Sequence, residues 1–426
     1  MRTDLLTLAV ELATAACSQT GSSDKVALAP ADIVKSRILQ LMEVQRLPSV
    51  CAAVVKDGEA QFEECFGFAD LEKKVTATPD TMYALASMTK PLTATGLMTL
   101  VERGRVDLDR PANDYLGDAK LVAYVGDASG ATVRRLLHCT SGLPEHVNIY
   151  YANEKWRRPP MEQSIRRYGF LVTAPGEVYT YSNFGYGVLE HIIERVSGQE
   201  YAAFLKAQVF DPLGMTRTAV LTEPAADDAV AVKYDDKRQP LAINDYDHRG
   251  ASAAYGSIRD LVKLARFVSK VPLPGQKRIL RDKTIDQMLN SKSTDIPANL
   301  LRLGWTGFEH EGYGLIHASG GMPGAASRLG IVPEARLISV VLTNALTPDL
   351  WEIERTVFAA YLPGYAERTR ERKPDQPAPS RAFSPPPPWP APGREASKPM
   401  KAICPRGWTS LPVGRCALNS PAAFCR

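Results

Sequence analysis

The sequence has 426 residues, 45% of them hydrophobic and 23% charged, with a formal net charge of +4. That is the make-up of an ordinary globular chain, long enough for a full core and about two to three structural units. The charge is too small to support a nucleic-acid partner or an anionic membrane surface, and seven cysteines without a Cys-x-x-Cys pair, in a chain lacking His-Glu-x-x-His, give a metal site no support.

The N-terminal stretch Leu5 to Ala16 is mostly apolar and ends Thr14-Ala15-Ala16-Cys17, ahead of a polar run. Residues 1–24 read in one of two ways. They are a leader segment with a lipid anchor at Cys17, which places the protein in the periplasm or on a membrane. Otherwise they are the frayed start of a cytoplasmic protein, since Asp4 and Glu11 break the apolar run. No other stretch approaches the ~20 apolar residues of a membrane span.

Ile33, Ile38, Leu39 and Met42 predict a helix within residues 25–48. Cys51 to Lys56, the Asp57-Gly58 pair and the alternating run from Ala60 to Phe68 predict a β-hairpin. In that hairpin Cys51 and Cys65 read as buried free thiols. A helix is predicted after Ser87, ending near Gly104. The long middle is mixed helix and loop, with helices predicted over Phe184–Val196 and Arg259–Val268. Ser327–Val332, a Pro333-Glu334 turn and Leu337–Asn344 predict a second hairpin. A last helix is predicted from Asp349 to about Leu362. Beyond it the chain turns charged and then proline-rich, and residues 366–426 are expected to be a disordered tail. Strands from both chain ends around a helical middle predict an α+β fold over residues 25–365: an antiparallel sheet flanked by helices, with an inserted helical domain.

The chemistry-bearing motif is Ser87-Met88-Thr89-Lys90. Serine is a favoured N-cap, and Lys90, three residues on, comes round to the same helix face. The helix dipole and burial both disfavour a charged lysine there. A neutral amine beside a hydroxyl is a base beside a nucleophile. Ser-x-x-Lys is a signature of class A β-lactamases and penicillin-binding proteins, although alone it equally describes an N-cap followed by a solvated lysine. A second motif, Tyr181-Ser182-Asn183, follows a Pro175-Gly176 loop. Its bland reading is a packed tyrosine with Asn183 capping a helix that stops before Gly198. Its functional reading sets the Tyr181 phenol near Ser87, sharing a proton with Lys90, while Asn183 donates to a substrate carbonyl. Gly250-Ala251-Ser252-Ala253-Ala254 falls short of Gly-x-Ser-x-Gly and lacks its strand-turn-helix setting.

With both motifs in order, the chain resembles the serine β-lactamase-related family, which holds class C β-lactamases, DD-peptidases, D-aminopeptidases and β-lactamase-like carboxylesterases. Gly67-Phe68-Ala69-Asp70, Asp80-Thr81-Met82-Tyr83 and the blocks Leu136 to Pro144 and Asp211 to Thr216 match it too, so the resemblance runs from about residue 35 to residue 362. It implies acyl transfer to water through a Ser87 acyl-enzyme, with Lys90 and Tyr181 moving protons. It also implies an oxyanion hole from the backbone N–H groups of Ser87 and Gly321, and substrate positioning by Asn183, Ser319 and Gly320. Neither metal nor other cofactor is implied; the implied partner is a small ester, amide or β-lactam.

The family's third motif places Lys or His on a strand. Setting Ser319-Gly320-Gly321 on its small-residue run puts Ala318 at the basic position and His317 one residue early, on the other strand face. Either His317 enters the pocket through a bulge and joins the substrate-binding residues, or the chain has no basic group there. The second reading is preferred. It weakens the β-lactamase and peptidase readings, because a substrate carboxylate left unpaired in a dry site is costly, and it favours a carboxylesterase. The alternatives are a class C-type β-lactamase, DD-peptidase or D-aminopeptidase, and an inactive penicillin-recognising binding protein.

Overall fold

The structure, a computed structural model, describes residues 28–222, 229–293, 296 and 301–371. The expected leader with Cys17, and the tail beyond residue 371, lie outside these residues. Helix α1 (Pro30–Gln45) opens with proline in its first turn, where a missing N–H costs nothing. Its buried stripe is Val34, Ile38 and Leu41. Ile33 and Leu39, expected in that stripe, are exposed instead: the ridge facing the sheet is turned by about one residue from the expected one.

Strands β1 (Ser49–Lys56) and β2 (Glu59–Asp70) form the expected hairpin. Asp57 and Gly58 both take positive φ, 53° and 89°, as a two-residue hairpin turn requires. Cys51 lies directly opposite Cys65, and the two are joined in a disulfide. This corrects the expected free thiols: cross-strand partners project from the same face within bonding reach. The remaining elements used below are β3 (Val75–Thr76), α2 (Thr89–Glu102), α3 (Asn183–Ser197), α4 (Arg249–Ser252), α5 (Ile258–Val268), β4 (Thr306–His310), β5 (Tyr313–Met322), β6 (Ala325–Val332), β7 (Leu337–Thr343), α6 (Leu350–Tyr361) and α7 (Tyr365–Glu371).

The seven strands form one sheet in the order β4-β5-β6-β7-β1-β2-β3, antiparallel throughout. The two ends of the chain meet where β1 pairs with β7, Val50 opposite Thr343 and Lys56 opposite Leu337. Both strands are buried almost end to end, because helices cover both faces. On one face Val50, Ala52, Val54 and Val341 pack with Val34 and Ile38 of α1 and with Ile353 and Val357 of α6. On the other face Ala53, Val55, Val340 and Leu342 join a larger core that includes α2, α3 and α5. The expected α+β architecture is therefore present.

Helix α2 runs through the middle of that core and is buried on all sides from Thr89 to Leu100. Its threonine hydroxyls are satisfied by backbone carbonyls: Thr95 donates to Pro91 O (2.8 Å) and Thr99 to Gly96 O (2.8 Å) within the helix, while Thr89 donates to Ala86 O (2.7 Å) and Thr93 to Gly250 O (2.5 Å) outside it. No helix among the described residues is long and apolar enough to cross a membrane.

The fold continues past the expected last helix. In α7, Tyr365 is buried and its hydroxyl bonds His310 Nε2 at 2.8 Å, while Arg368 donates to Glu311 O at 2.6 Å. A chain cut after Gly364 is expected to melt ~4 °C or more below one cut after Arg372, because losing a buried aromatic costs about 3 kcal/mol. Equal melting temperatures would show that α7 adds nothing to the domain.

Candidate active site

The turn carrying Ser87 is shaped by its surroundings. Leu85 N–H donates to Ala254 O at 2.8 Å. Ala86 then takes a left-handed φ of 50°, which costs a residue with a Cβ about 1 kcal/mol or more. Residues Ala86–Met88 form a single 3₁₀ turn that leads into α2. Ser87 thus stands just outside the helix and makes no side-chain cap bond, which corrects its expected N-cap role. Between Thr81 and Lys90 every residue is buried except Ser87.

Lys90 lies in the first turn of α2 and is buried. Its Nζ donates to Asn183 Oδ1 (2.7 Å) and Ala251 O (3.4 Å) and sits 4.6 Å from the Tyr181 ring centroid. Burial pushes the amine down to about 7, outweighing the opposing pull of Cys139 and Glu145. The Tyr181 hydroxyl donates to Ser87 Oγ at 2.8 Å. Burial raises this phenol well above its ordinary value, so it is a proton donor at neutral pH. Cys139, buried nearby, is likewise pushed up to about 11 by burial and stays a thiol.

Asn183 is free to face Lys90 because Ser182 takes the cap. The Ser182 hydroxyl accepts from Gly185 N–H (3.0 Å) and donates to Pro144 O (3.0 Å), so the capping reading of Asn183 is corrected. Helix α3 closes, as expected, on Gly198 at a φ of 73°. Sequence reasoning missed Ala251, whose carbonyl holds Lys90; a backbone acceptor leaves no trace in residue type. It could have found Ser182, since serine outranks most residues at that position.

The opposite wall is β5. Strand β4 pairs with β5 only as far as His317, so Ala318 to Met322 run on without a β4 neighbour. A Cβ on Gly320 would sit 2.1 Å from Leu85 O and 2.8 Å from Ser87 N. Backbone meets backbone here, and only glycine fits. Ser327 of β6 locks the same turn by donating to Leu85 O at 2.7 Å. Ser319 and Gly321 are exposed, whereas Ala318 is buried in the core cluster on the Ser87 side.

His317 lies on the other face. Its Nε2 accepts from Arg328 at 2.7 Å and is 3.6 Å from the buried Glu354 carboxylate of α6. Burial would raise Glu354, but Arg328 and His317 hold it well below the usual carboxylate range. The register of β5 with β6 runs unbroken from Ile316 to Met322, with no bulge to turn His317 inward. Its expected place among the substrate-binding residues is therefore corrected. Among the described residues no group of His, Cys, Asp and Glu side chains converges as a metal site.

Residues 34–362 match the family model described as Beta-lactamase. The chain is 26% identical to Protein flp of Staphylococcus aureus (strain N315) over 304 residues, covering 70% of this chain and 60% of that protein. It is 30% identical to Penicillin-binding protein 4* of Bacillus subtilis (strain 168) over 211 residues, covering 48% of this chain and 40% of that one. The chain thus spans 60% or less of the length of these curated relatives. It is similar in structure to the octameric penicillin-binding protein homologue from Pyrococcus abyssi, at 26% identity and a TM-score of 0.64, covering 76% of this chain and 75% of that one. A class C beta lactamase from Rhodobacter sphaeroides shares the fold at 19% identity and a TM-score of 0.62, covering 78% of this chain and 98% of that one.

The two neighbouring glycines give a direct test of the wall. Gly320→Ala is expected to destabilise the protein by about 1–3 kcal/mol, since the strand must move off the Ser87 turn. Gly321→Ala, whose nearest neighbour would be 3.4 Å away, is expected to cost less than ~1 kcal/mol. Urea unfolding of both variants decides it: equal losses would mean that the close approach is not what holds the site.

Proposed function

We propose that this chain, which belongs to the Beta-lactamase family, is a serine hydrolase that transfers the acyl group of an ester to water through Ser87. The observation that carries the reading is the Tyr181–Ser87 hydrogen bond set beside a buried Lys90. In the proposed sequence neutral Lys90 takes the Ser87 proton as Oγ attacks the carbonyl carbon. The N–H groups of Ser87 and Gly321 hold the oxyanion. Tyr181 passes its proton to the departing alkoxide and is reprotonated from Lys90. Water then attacks the acyl-enzyme, the same groups move the proton back, and the acid leaves. Asn183 Nδ2, which bonds no described residue, is assigned to a substrate carbonyl, and exposed Ser319 and the close-set Gly320 to substrate positioning.

The preference for esters rests on Ala318. It occupies the Ser87 side of β5 and offers no charge to the carboxylate of a β-lactam or of a peptide C-terminus. Leaving that carboxylate unpaired in a desolvated site costs several kcal/mol, and an uncharged ester avoids the penalty. The names of similar proteins, a penicillin-binding protein and a beta lactamase, keep amide and β-lactam substrates as the alternative.

Two measurements test this. With p-nitrophenyl acetate, kcat/KM is expected to rise with pH through about 7 and then level off, because only deprotonated Lys90 accepts a proton; Ser87→Ala is expected to lose ~10³-fold or more. A rate independent of pH between about 5.5 and 9 would remove Lys90 from the base role. Nitrocefin is expected to be turned over more slowly than p-nitrophenyl acetate, with Ala318→Lys narrowing the gap about tenfold. Faster turnover of nitrocefin by the unaltered protein would overturn the ester preference and leave the hydrolase reading standing.

A further inference from the structure

One buried cation is used by nothing described so far. Lys233 is 5% exposed, and lysine is almost never buried without an anion. Its single hydrogen bond goes to Asn244 Oδ1, a neutral acceptor, and none of its charge is balanced by a carboxylate among the described residues. Asn244 is itself 5% exposed, and its Nδ2 makes no full hydrogen bond. Burial raises the Tyr246 phenol, and the Asn244 side chain lies close enough to that hydroxyl to pull it down against burial. The unused hydrogen-bonding capacity of the pair is mostly donor: two N–H groups of the ammonium and those of the amide, against one remaining lone pair on Asn244 Oδ1.

These donors line a small cavity of about 30 Å³ with Tyr151, Tyr246 and Pro323. That is room for one small polar group. The backbone around Lys233 is fixed: Val232 N–H donates to Ala69 O, Tyr234 N–H to Asn344 O, and Leu241 N–H to Lys233 O. The cavity is also fixed relative to the catalytic wall. A Cβ on Gly324 would lie 2.5 Å from Lys233 Cβ, and the Tyr246 hydroxyl reaches Met322 Sδ at 3.0 Å. The contacts fall at the end of β5, on Met322, one residue past Gly321, and on Gly324 in the hairpin turn that follows.

We propose that Lys233 and Asn244 form a carboxylate-binding subsite at the far end of β5, so that the substrate carries an anionic group remote from the bond that is cleaved. Two features support this: the buried Lys233 ammonium in a donor-rich cavity, and the absence of a cation at Ala318, before Gly320 rather than beyond it. The proposal rests on the ester-hydrolase reading for its substrate but not for its ligand chemistry. It places no charge where a β-lactam carries one. Burial also lowers the Lys233 amine to about 8, and a bound carboxylate would restore its charge.

The test compares substrate pairs that differ by one carboxylate. On the acyl side these are p-nitrophenyl hydrogen adipate and p-nitrophenyl hexanoate; on the alcohol side, 4-acetoxybenzoate and phenyl acetate. In at least one pair the anionic member is expected to be favoured, and Lys233→Met is expected to cut that ratio of kcat/KM about tenfold, the loss of one charge-assisted hydrogen bond. Lys233→Arg is expected to keep part of the ratio. A parallel fall for both members of each pair would make Lys233 structural and overturn the proposal. Adipate itself gives a readout that needs no turnover: it is expected to raise the melting temperature of the unaltered protein, and less so that of Lys233→Arg. No shift from adipate would overturn the subsite, even if Lys233→Met fails to fold. A shift with no ester turnover would keep the subsite and overturn the hydrolase.

Discussion

Contact between two backbones is the constraint on which the rest of this molecule depends. Gly320 of β5 touches Leu85 O and Ser87 N, a distance at which no other residue fits. The strand comes from the C-terminal half of the sheet and the turn from the start of the central helix. Their contact sets how the sheet, α2 and the Tyr181 segment meet. Ala86 holds its left-handed φ because Ser327 and Ala254 bind the turn from either side. A short-range steric requirement therefore fixes the relative placement of elements more than two hundred residues apart in sequence.

Desolvation then decides the chemistry. Lys90, Tyr181 and Cys139 are all driven toward their neutral forms by the same burial. For Cys139 this removes reactivity, since the thiolate is the nucleophile. For Lys90 it produces a base, and for Tyr181 it keeps an acid. Across the sheet, Glu354 shows the opposite outcome. It is equally buried, but the Arg328 guanidinium 2.8 Å away supplies enough charge to keep it ionised. A compensated cluster of that kind is structural, whereas Lys90 has no carboxylate bonded to it and lies beside the half-buried Ser87.

Much of this was legible in residue order. The Asp57-Gly58 hairpin, the strands of the central sheet and the pairing of Ser87 with Lys90 follow from spacing and local propensity, and the grouping of these two with Tyr181 and Asn183 follows from the family resemblance. The missed features depend on partners distant in sequence. Cys51 and Cys65 could not be paired before the hairpin register was known. His317 and Ala318 differ by one position, and only the unbroken register with β6 decides which one faces Ser87. The helix after Ser87 reads as amphipathic from its leucines, yet its threonines are buried too, bonded to carbonyls of the helix and of the segments packed against it. Lys233 carries no motif at all. It becomes notable only when no carboxylate among the described residues proves to pair with it.

The pairing of β1 with β7 has a consequence for how the protein is made. Val50 emerges from the ribosome about 300 residues before its partner Thr343. At ~5–20 residues per second, the first hairpin waits tens of seconds with a hydrophobic edge unfilled. A strand template exposed for that long invites pairing with the wrong chain. The central sheet closes only when its last strands have been synthesised, so the open edge of β1 persists while about two thirds of the sequence is translated.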